Sequence, residues 1–101
     1  MVELTFEELV EKFNVISDAL SSDEYNKPIL EISMRGNSKE TIFCADLIDV
    51  EIKNGNILKS PYGTGKTPEE AMRDYYKQIV GKRLVYRATD KENRRECVVV
   101  G

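Results

Sequence analysis

The chain has 101 residues, of which 41% are hydrophobic and 33% are charged, a composition typical of one folded domain and not of a disordered or repetitive chain. The formal net charge of −3 gives no overall attraction to nucleic acid or to an anionic membrane. Histidine is absent, which excludes zinc sites built on histidine and nucleophiles that histidine activates. We expect a single domain over residues 1–101. The lack of a leader pattern, a long apolar run or a lipidation signature predicts a cytoplasmic protein without membrane contact.

The first predicted element is an amphipathic helix over residues 6–20. Thr5 and Glu8 form a Thr-x-x-Glu capping box, which is a signature of a helix start. The apolar residues that follow recur at helical spacing, namely Phe6, Leu9, Val10, Phe13, Ile16 and Leu20. A polar loop from Ser21 to Pro28 comes next.

An antiparallel sheet of three to four strands is predicted after this loop. Leu30, Ile32 and Met34 alternate with polar residues, which indicates a half-buried strand. Gly36 and Asn37 form the turn that ends this strand.

The next strand region covers residues 40–52, where apolar and polar residues alternate again. The alternation becomes ambiguous near Asp46, so we expect a bulge or a break there. Asn54 and Gly55 predict a hairpin turn, and the return strand ends at Pro61.

The segment that follows raises the question of a phosphate site, because Gly65, Lys66 and Thr67 match the tail of a P-loop. A complete P-loop has a further glycine at the position that Ser60 occupies. The motif is therefore broken, and we predict a connector between strand and helix instead of a catalytic phosphate site.

A second helix is predicted over residues 68–80. Thr67 is its expected N-cap, Pro68 suits the first helical position, and Glu70 completes a second Thr-x-x-Glu box. Gly81 is expected to end the helix in the left-handed conformation. The inner stripe of the helix comprises Ala71, Met72, Tyr75 and Ile79.

The chain ends in a predicted β-hairpin, in which residues 82–88 and 95–100 form two strands around the polar turn from Thr89 to Asn93. The predicted order is helix, three or four strands, helix and two strands. This order defines an α+β fold.

Residues 5–80 combine a helix, three antiparallel strands, a Gly-x-Gly loop and a helix that begins with a charged x-x-Glu-Ala pattern. This layout resembles a double-stranded-RNA-binding domain, and the resemblance implies an α+β fold. That family has lysines at the start of its second helix, where they contact phosphates. This chain has Pro68, Glu69 and Glu70 there and retains only Lys66, so its residues disfavour nucleic acid as a partner.

A further pattern, YGxGxTxEEAxxDYxxxIxGKxLV followed by Asn-Arg-Arg-Glu, lies within residues 60–100. The matching residues are Tyr62, Gly63, Gly65, Thr67, Glu69, Glu70, Ala71, Asp74, Tyr75, Ile79, Gly81, Lys82, Leu84, Val85, Asn93, Arg94, Arg95 and Glu96. The pattern resembles that of small phage and prophage proteins of Gram-positive bacteria. This resemblance implies a viral accessory protein that binds a host factor, for example a component of a defence system.

Five residues are candidates for contact with a partner or ligand: Tyr62, Lys66, Arg87, Arg94 and Arg95. With Lys82 and Arg83, the three arginines would form a basic rim on the C-terminal hairpin, because arginine binds carboxylates and phosphates through paired N–H groups. The alternative is that they are solvated strand and turn positions without a function. The strand period of two sends Arg94 and Arg95 to opposite faces, so at least one points outward.

Two other pairs of residues have structural interpretations. Tyr75 and Tyr76 have two interpretations. Either they are exposed and stack on a base, or Tyr75 faces the core and Tyr76 lies at the border of the core, and we favour the second. Cys44 and Cys97 lie in apolar runs and are interpreted as reduced core thiols, with a disulfide as the alternative.

Carboxylates are numerous, but no pair is set apart by apolar surroundings, so we predict no acid/base pair and no catalytic residues. Three carboxylates on the central strand region point to both faces, which favours an edge-protecting charge row over a metal site: Asp46, Asp49 and Glu51. We predict no metal and no cofactor, and a protein that is not an enzyme.

We keep two functional hypotheses. The first is a protein-binding inhibitor or adaptor that docks on a host protein through the sheet or the hairpin arginines. The second is a binder of a small ligand, such as a nucleotide signal, in which Tyr62, Lys66 and the arginines line a pocket. That pocket would also suit a subunit interface, so a homo-oligomer stays open.

Overall fold

The computed structural model describes residues 4–36 and 39–101, and over these residues the chain forms two helices and seven strands. The elements in chain order are α1 (Phe6–Ala19), β1 (Leu30–Gly36), β2 (Thr41–Leu47), β3 (Val50–Asn54), β4 (Ile57–Lys59), β5 (Gly63–Gly65), α2 (Pro68–Ile79), β6 (Arg83–Tyr86) and β7 (Arg95–Val98). The predicted turn at Asn37 lies outside the described residues.

The strands form two antiparallel sheets, and the α+β class is confirmed. The first sheet has the order β1-β2-β5, and the second has the order β4-β3-β6-β7. The predicted C-terminal hairpin is present as β6 and β7, but it does not stand apart, because β6 pairs with β3. The hairpin thus completes the second sheet instead of following a single sheet.

The predicted break near Asp46 falls slightly later, at Ile48 and Asp49, where the chain passes from the first sheet to the second. Asp49 has a positive φ of 62°, and Arg87 on the neighbouring strand end has a φ of 52°. The Arg87 N–H donates to the Asp49 carbonyl oxygen at 3.0 Å. These two left-handed residues end the ladder between β3 and β6 together.

The helix boundaries follow their predicted caps. The capping box of Thr5 and Glu8 is formed in both directions, and the Glu70 N–H donates to the Thr67 hydroxyl at 3.1 Å. The second predicted box is half correct, because the Glu70 carboxylate accepts from the Lys66 N–H at 2.8 Å and not from Thr67. Gly81 follows α2 with a φ of 77°, as expected of a residue after a helix end.

The core lies between the two helices and the inner faces of the sheets. Its largest fully buried side chains include Tyr75, Leu9, Leu47, Ile79 and Leu84. The Phe13 ring stacks on the Tyr75 ring at a centroid distance of 5.9 Å and meets the Tyr76 ring edge-on at 6.0 Å. Both tyrosines are buried, and burial raises the pKa of Tyr75 to about 12. They are therefore core residues, not an exposed stacking platform.

Helix α2 packs directly on the glycine strand β5. A Cβ atom placed on Gly63 would lie 2.1 Å from the carbonyl oxygen of Ala71 and 2.3 Å from the nitrogen of Tyr75. A Cβ atom on Gly65 would lie 2.4 Å from the Cβ of Glu70. Since such distances are far inside van der Waals contact, both positions require glycine for the close approach of the helix.

Polar side chains of α2 cover the outer edge of β5. The Thr64 N–H donates to Asp74 at 2.9 Å, the Lys66 N–H donates to Glu70 at 2.8 Å, and Gln78 donates to the Tyr62 carbonyl oxygen at 2.8 Å. The helix side chains are four positions apart, at residues 70, 74 and 78, and therefore lie on one face of α2. The backbone groups that they contact are two positions apart, at residues 62, 64 and 66, and therefore lie on one edge of the strand. One helix stripe therefore satisfies one strand edge.

Gly63→Ala tests the close packing of α2 on β5. We expect a loss of about 3 kcal/mol in the free energy of unfolding, because the added methyl group must displace the helix backbone. Urea unfolding followed by circular dichroism measures the loss. The control is Thr64→Ala at the exposed neighbouring side chain, for which we expect less than about 1 kcal/mol. Equal stability of the two variants would contradict the packing.

Asp74→Ala tests the polar stripe. The substitution leaves the Thr64 N–H without its acceptor, and we expect a loss of about 1–2 kcal/mol in the free energy of unfolding. Asp74→Asn keeps an acceptor oxygen of the same reach and should retain most of the stability. If Asp74→Ala unfolds at the same urea midpoint as the unchanged chain, the carboxylate does not hold the strand edge.

Candidate functional site

The segment that resembles a P-loop is a structural junction. The Lys66 N–H already donates to the Glu70 carboxylate, and the Thr64 N–H donates to Asp74. Two of the backbone donors that a phosphate would need are therefore occupied by carboxylates, which also repel an anion. The side chains of Lys66 and Tyr62 are exposed, Tyr62 to 56%, and they lie beside the first sheet.

The hairpin arginines lie by the second sheet, and each already has partners. The Arg87 Nε donates to the Tyr86 hydroxyl at 3.1 Å, and its guanidinium lies 3.5 Å from the Asp90 carboxylate. Asp90 in turn accepts the N–H groups of Glu92 and Asn93, which shapes the turn. The hydrogen bond to Tyr86 is the main cause that raises the pKa of Arg87, and Asp90 adds to it. Arg87 thus holds the turn in place.

Arg94 and Arg95 lie on different sides of the hairpin. Arg95 is opposite Tyr86 on the core side, and its guanidinium donates to the carbonyl oxygens of Glu92 and Arg94. The Arg94 guanidinium donates to the carboxylate of Glu96 at 3.0 Å and to the carbonyl oxygen of Ala88 at 3.0 Å. Arg94 is therefore the member of the pair on the solvent side of the sheet.

The surface that faces away from the core on the second sheet is called the outer face here. The strand register places its side chains in two rows across the strands: Leu58, Lys53, Arg83 and Val98 in the first, and Glu51, Val85 and Glu96 in the second. Leu58 and Val98 are exposed apolar residues at the two ends of the first row. The cations Lys53 and Arg83 thus lie between two exposed apolar side chains, whereas Val85 in the second row is fully buried.

Three cations on the outer face share one carboxylate. The Glu96 oxygens lie 3.7 Å from Lys53 Nζ, 3.7 Å from an Arg83 nitrogen and 3.0 Å from an Arg94 nitrogen. The Arg94 hydrogen bond, followed by the charges of Lys53, Arg94 and Arg83, lowers the pKa of Glu96. With Glu51 on the same face, three positive charges face two negative ones, so the outer face keeps a surplus of positive charge in a chain of net charge −3.

A cavity of about 390 Å³ opens between α1, the loop that follows it, and the first sheet. Its floor is apolar and includes Phe13, Leu47 and Met72, and its rim includes Asn14, Glu24 and Tyr25. The Tyr25 side chain is 85% exposed. The volume and the apolar floor are typical of a pocket for a small molecule.

The structure does not bring the five predicted residues together. Tyr62 and Lys66 have no described hydrogen bond or ion pair with the three arginines, and none of the five lines the 390 Å³ cavity. Of the five, Arg94 alone joins the cation cluster. The sequence reading missed Lys53 and Glu96, which β-sheet pairing brings to Arg94, and it missed the cavity. The exposed Tyr25 in the polar loop was the one available signal for the cavity.

Both cysteines are free, with Cys44 buried and Cys97 partly buried, and burial raises the pKa of the Cys97 thiol. Within residues 4–36 and 39–101, no three or more Cys, Asp and Glu side chains are grouped in a way that would hold a metal ion. The helices described for this chain are too short or too polar to cross a bilayer.

A comparison with protein families, curated proteins and solved structures finds no match to this chain. The resemblances of residues 5–80 and 60–100 therefore stay hypotheses. The function has to be inferred from the surfaces described above.

Arg94→Ala tests the cation cluster. We expect the pKa of Glu96, followed by carboxyl NMR during a pH titration, to lie below its ordinary value in the unchanged chain and to rise in the variant. Since the folded-state pKa is lowered, Glu96 stabilises the fold above its unfolded pKa, and this contribution is lost as the pH falls through the folded pKa. Arg95→Ala is the control, because the described hydrogen bonds of the Arg95 guanidinium go to backbone carbonyl oxygens and not to Glu96. A Glu96 pKa that is unchanged by Arg94→Ala would contradict the cluster.

Proposed function

We propose that this chain is a non-catalytic binding protein that docks on an acidic surface of a host protein through its outer face. The single observation that supports this function most is the cluster of Lys53, Arg83 and Arg94 around the one carboxylate of Glu96. An approaching carboxylate would offset surplus positive charge on this face. Arginine side chains also form paired hydrogen bonds with carboxylates.

The apolar residues beside the cations favour a protein as the partner. Leu58 and Val98 are exposed at the ends of the row that contains Lys53 and Arg83. Protein interfaces combine apolar contacts with contacts to arginine. A free anion would bind the cations alone and would make no apolar contact with exposed leucine and valine side chains. The outer face thus has the composition of a docking surface.

The resemblance of residues 60–100 to phage and prophage proteins supports the setting of this function. In that setting the chain acts in the cytoplasm of a bacterial host, and the partner is a host factor. A component of an antiviral defence system is the partner that a small viral accessory protein of this kind would inhibit. The motif residues that build the α2–β5 junction would then support the fold, with the binding residues elsewhere.

A second function is supported by the 390 Å³ cavity. Its apolar floor and the exposed Tyr25 ring suit a small ligand with an aromatic part, such as a nucleotide signal, which the protein would sequester. This function uses a different surface from the outer face. The two functions are therefore separable by substitution.

The test is copurification of a tagged chain from host cells, analysed by mass spectrometry for proteins and for small molecules. We expect a bound host protein whose recovery falls with added salt and is lost in the double variant Lys53→Ala, Arg83→Ala. The matched control is Lys77→Ala, Lys91→Ala, which removes two exposed cations from other surfaces. Undiminished recovery in the first double variant would overturn the docking surface. A copurifying small molecule that Tyr25→Ala releases would support the cavity instead.

A further inference from the structure

The first sheet has one covered edge and one open edge. The outer edge of β5 is covered by the Glu70, Asp74 and Gln78 side chains of α2. The other outer strand, β1, pairs with β2 on one side, and no strand within residues 4–36 and 39–101 pairs with it on the other side. An unpaired strand edge presents a row of N–H and C=O groups to which another strand can add.

The backbone direction of β1 follows from one hydrogen bond. The Ile48 N–H donates to the Ile29 carbonyl oxygen, so residues at odd positions along β1 direct their backbone groups to β2. Leu30, Ile32 and Met34 therefore direct theirs outward. The pairing of β1 with β2 is continuous over seven residues and contains no bulge, and β1 contains no proline. A bulge and a proline, which commonly protect a strand edge, are both absent from β1, and its charged residues are Glu31 and Arg35.

The sequence of β1 is complementary to itself. An antiparallel pair of two β1 strands centred on Ser33 places Glu31 opposite Arg35 of the second copy, twice, and Ile32 opposite Met34 of the second copy, twice. We propose that two copies of this chain pair through their β1 strands around a twofold axis at Ser33, which joins the two first sheets into one six-stranded sheet.

The backbone positions agree with this register. Ile32 and Met34 both direct their N–H and C=O groups outward, so they form the hydrogen-bonded pairs between the two copies. Glu31 and Arg35 then form the pairs without backbone hydrogen bonds, in which the side chains are closer together. The geometry thus gives the ion pairs the closer of the two spacings.

The charges next to β1 within one copy also favour pairing with a second copy. Glu31 lies directly opposite Asp46 on β2, and like charges in that position destabilise a sheet. Burial raises the pKa of Asp46, and the Glu31 charge raises it further, while Arg35 lowers it. A second Arg35, brought opposite Glu31, would neutralise the carboxylate that Asp46 faces.

Apolar side chains beside the edge would be covered at the same time. Met34 is 68% exposed and Ile32 is 38% exposed, and both lie on the face of the sheet that also carries Phe43 and Ala45. In the pair of copies each isoleucine packs beside a methionine across the new strand boundary. The dimer therefore buries surface that one copy leaves in water.

Charge reversal tests this register. We expect the unchanged chain to sediment at twice its 11.6 kDa mass, and we expect Glu31→Arg and Arg35→Glu each to weaken the dimer at least about tenfold. The double variant Glu31→Arg, Arg35→Glu restores both ion pairs and should dimerise again. Glu11→Arg and Lys91→Glu, at exposed positions outside the sheet edge, are controls with the same charge changes.

Mixing the two single variants gives the most specific result. One copy then has arginine at both positions and the other has glutamate at both, so the proposal predicts that two monomeric variants form a mixed dimer. Melting temperatures establish that each variant is folded. If one single variant does not fold, Ile32→Pro replaces it, since its missing N–H points outward and its loss spares the β1–β2 ladder.

A monomeric unchanged chain would overturn the proposal. So would single reversals, or an Ile32→Pro variant, that dimerise as well as the unchanged chain, because the dimer would then use another surface. This inference is independent of the outer face, since Lys53→Ala and Arg83→Ala leave β1 unchanged.

Discussion

The close approach of α2 to β5 is the constraint on which the first sheet and the core depend. Only glycine fits at positions 63 and 65, because the helix backbone occupies the space of any side chain there. That approach brings Glu70 and Asp74 within hydrogen-bonding distance of the strand edge, and it places Tyr75 in the core against Phe13. The pattern that resembles a phosphate loop is therefore explained by packing. Its carboxylates take the place that a phosphate would need.

Local signals predicted the elements that local chemistry controls. Thr5 and Thr67 begin helices because a hydroxyl group accepts an N–H of the first turn, and Gly81 ends a helix because it tolerates a positive φ. The division into two sheets could not be predicted, because it depends on the pairing of β3 with the distant strand β6. Strand β5 has the sequence Gly-Thr-Gly, which has no alternation of apolar and polar residues, so the sequence predicted a loop there. The contacts with helix α2, which lie outside any local pattern, hold these residues in a strand.

The candidate sites also divide into features that local sequence indicates and features that depend on contacts between distant strands. The sequence predicted that arginines of the C-terminal hairpin contact a partner or ligand, and this stays a prediction. It did not separate Arg94, which meets Glu96 on the outer face, from Arg87 and Arg95, which hold the turn and the hairpin backbone. That separation depends on cross-strand neighbours such as Lys53, which comes from a strand thirty positions or more away. The cavity beside α1 results from the way one polar loop packs, and Tyr25 in that loop is the one sequence feature that points to it.

Amide hydrogen exchange, resolved by residue, tests most directly whether α2 covers the edge of β5. If the carboxylates of Glu70 and Asp74 hold that edge, the N–H groups of Thr64 and Lys66 exchange slowly, although Thr64 belongs to an outer strand of three residues and Lys66 follows that strand. Protection at Thr64 should fall in Asp74→Ala while that at Lys66 is largely retained. Exchange of both N–H groups at the rate of an open loop in the unchanged chain would contradict the account, because the segment would then be free to close around a ligand.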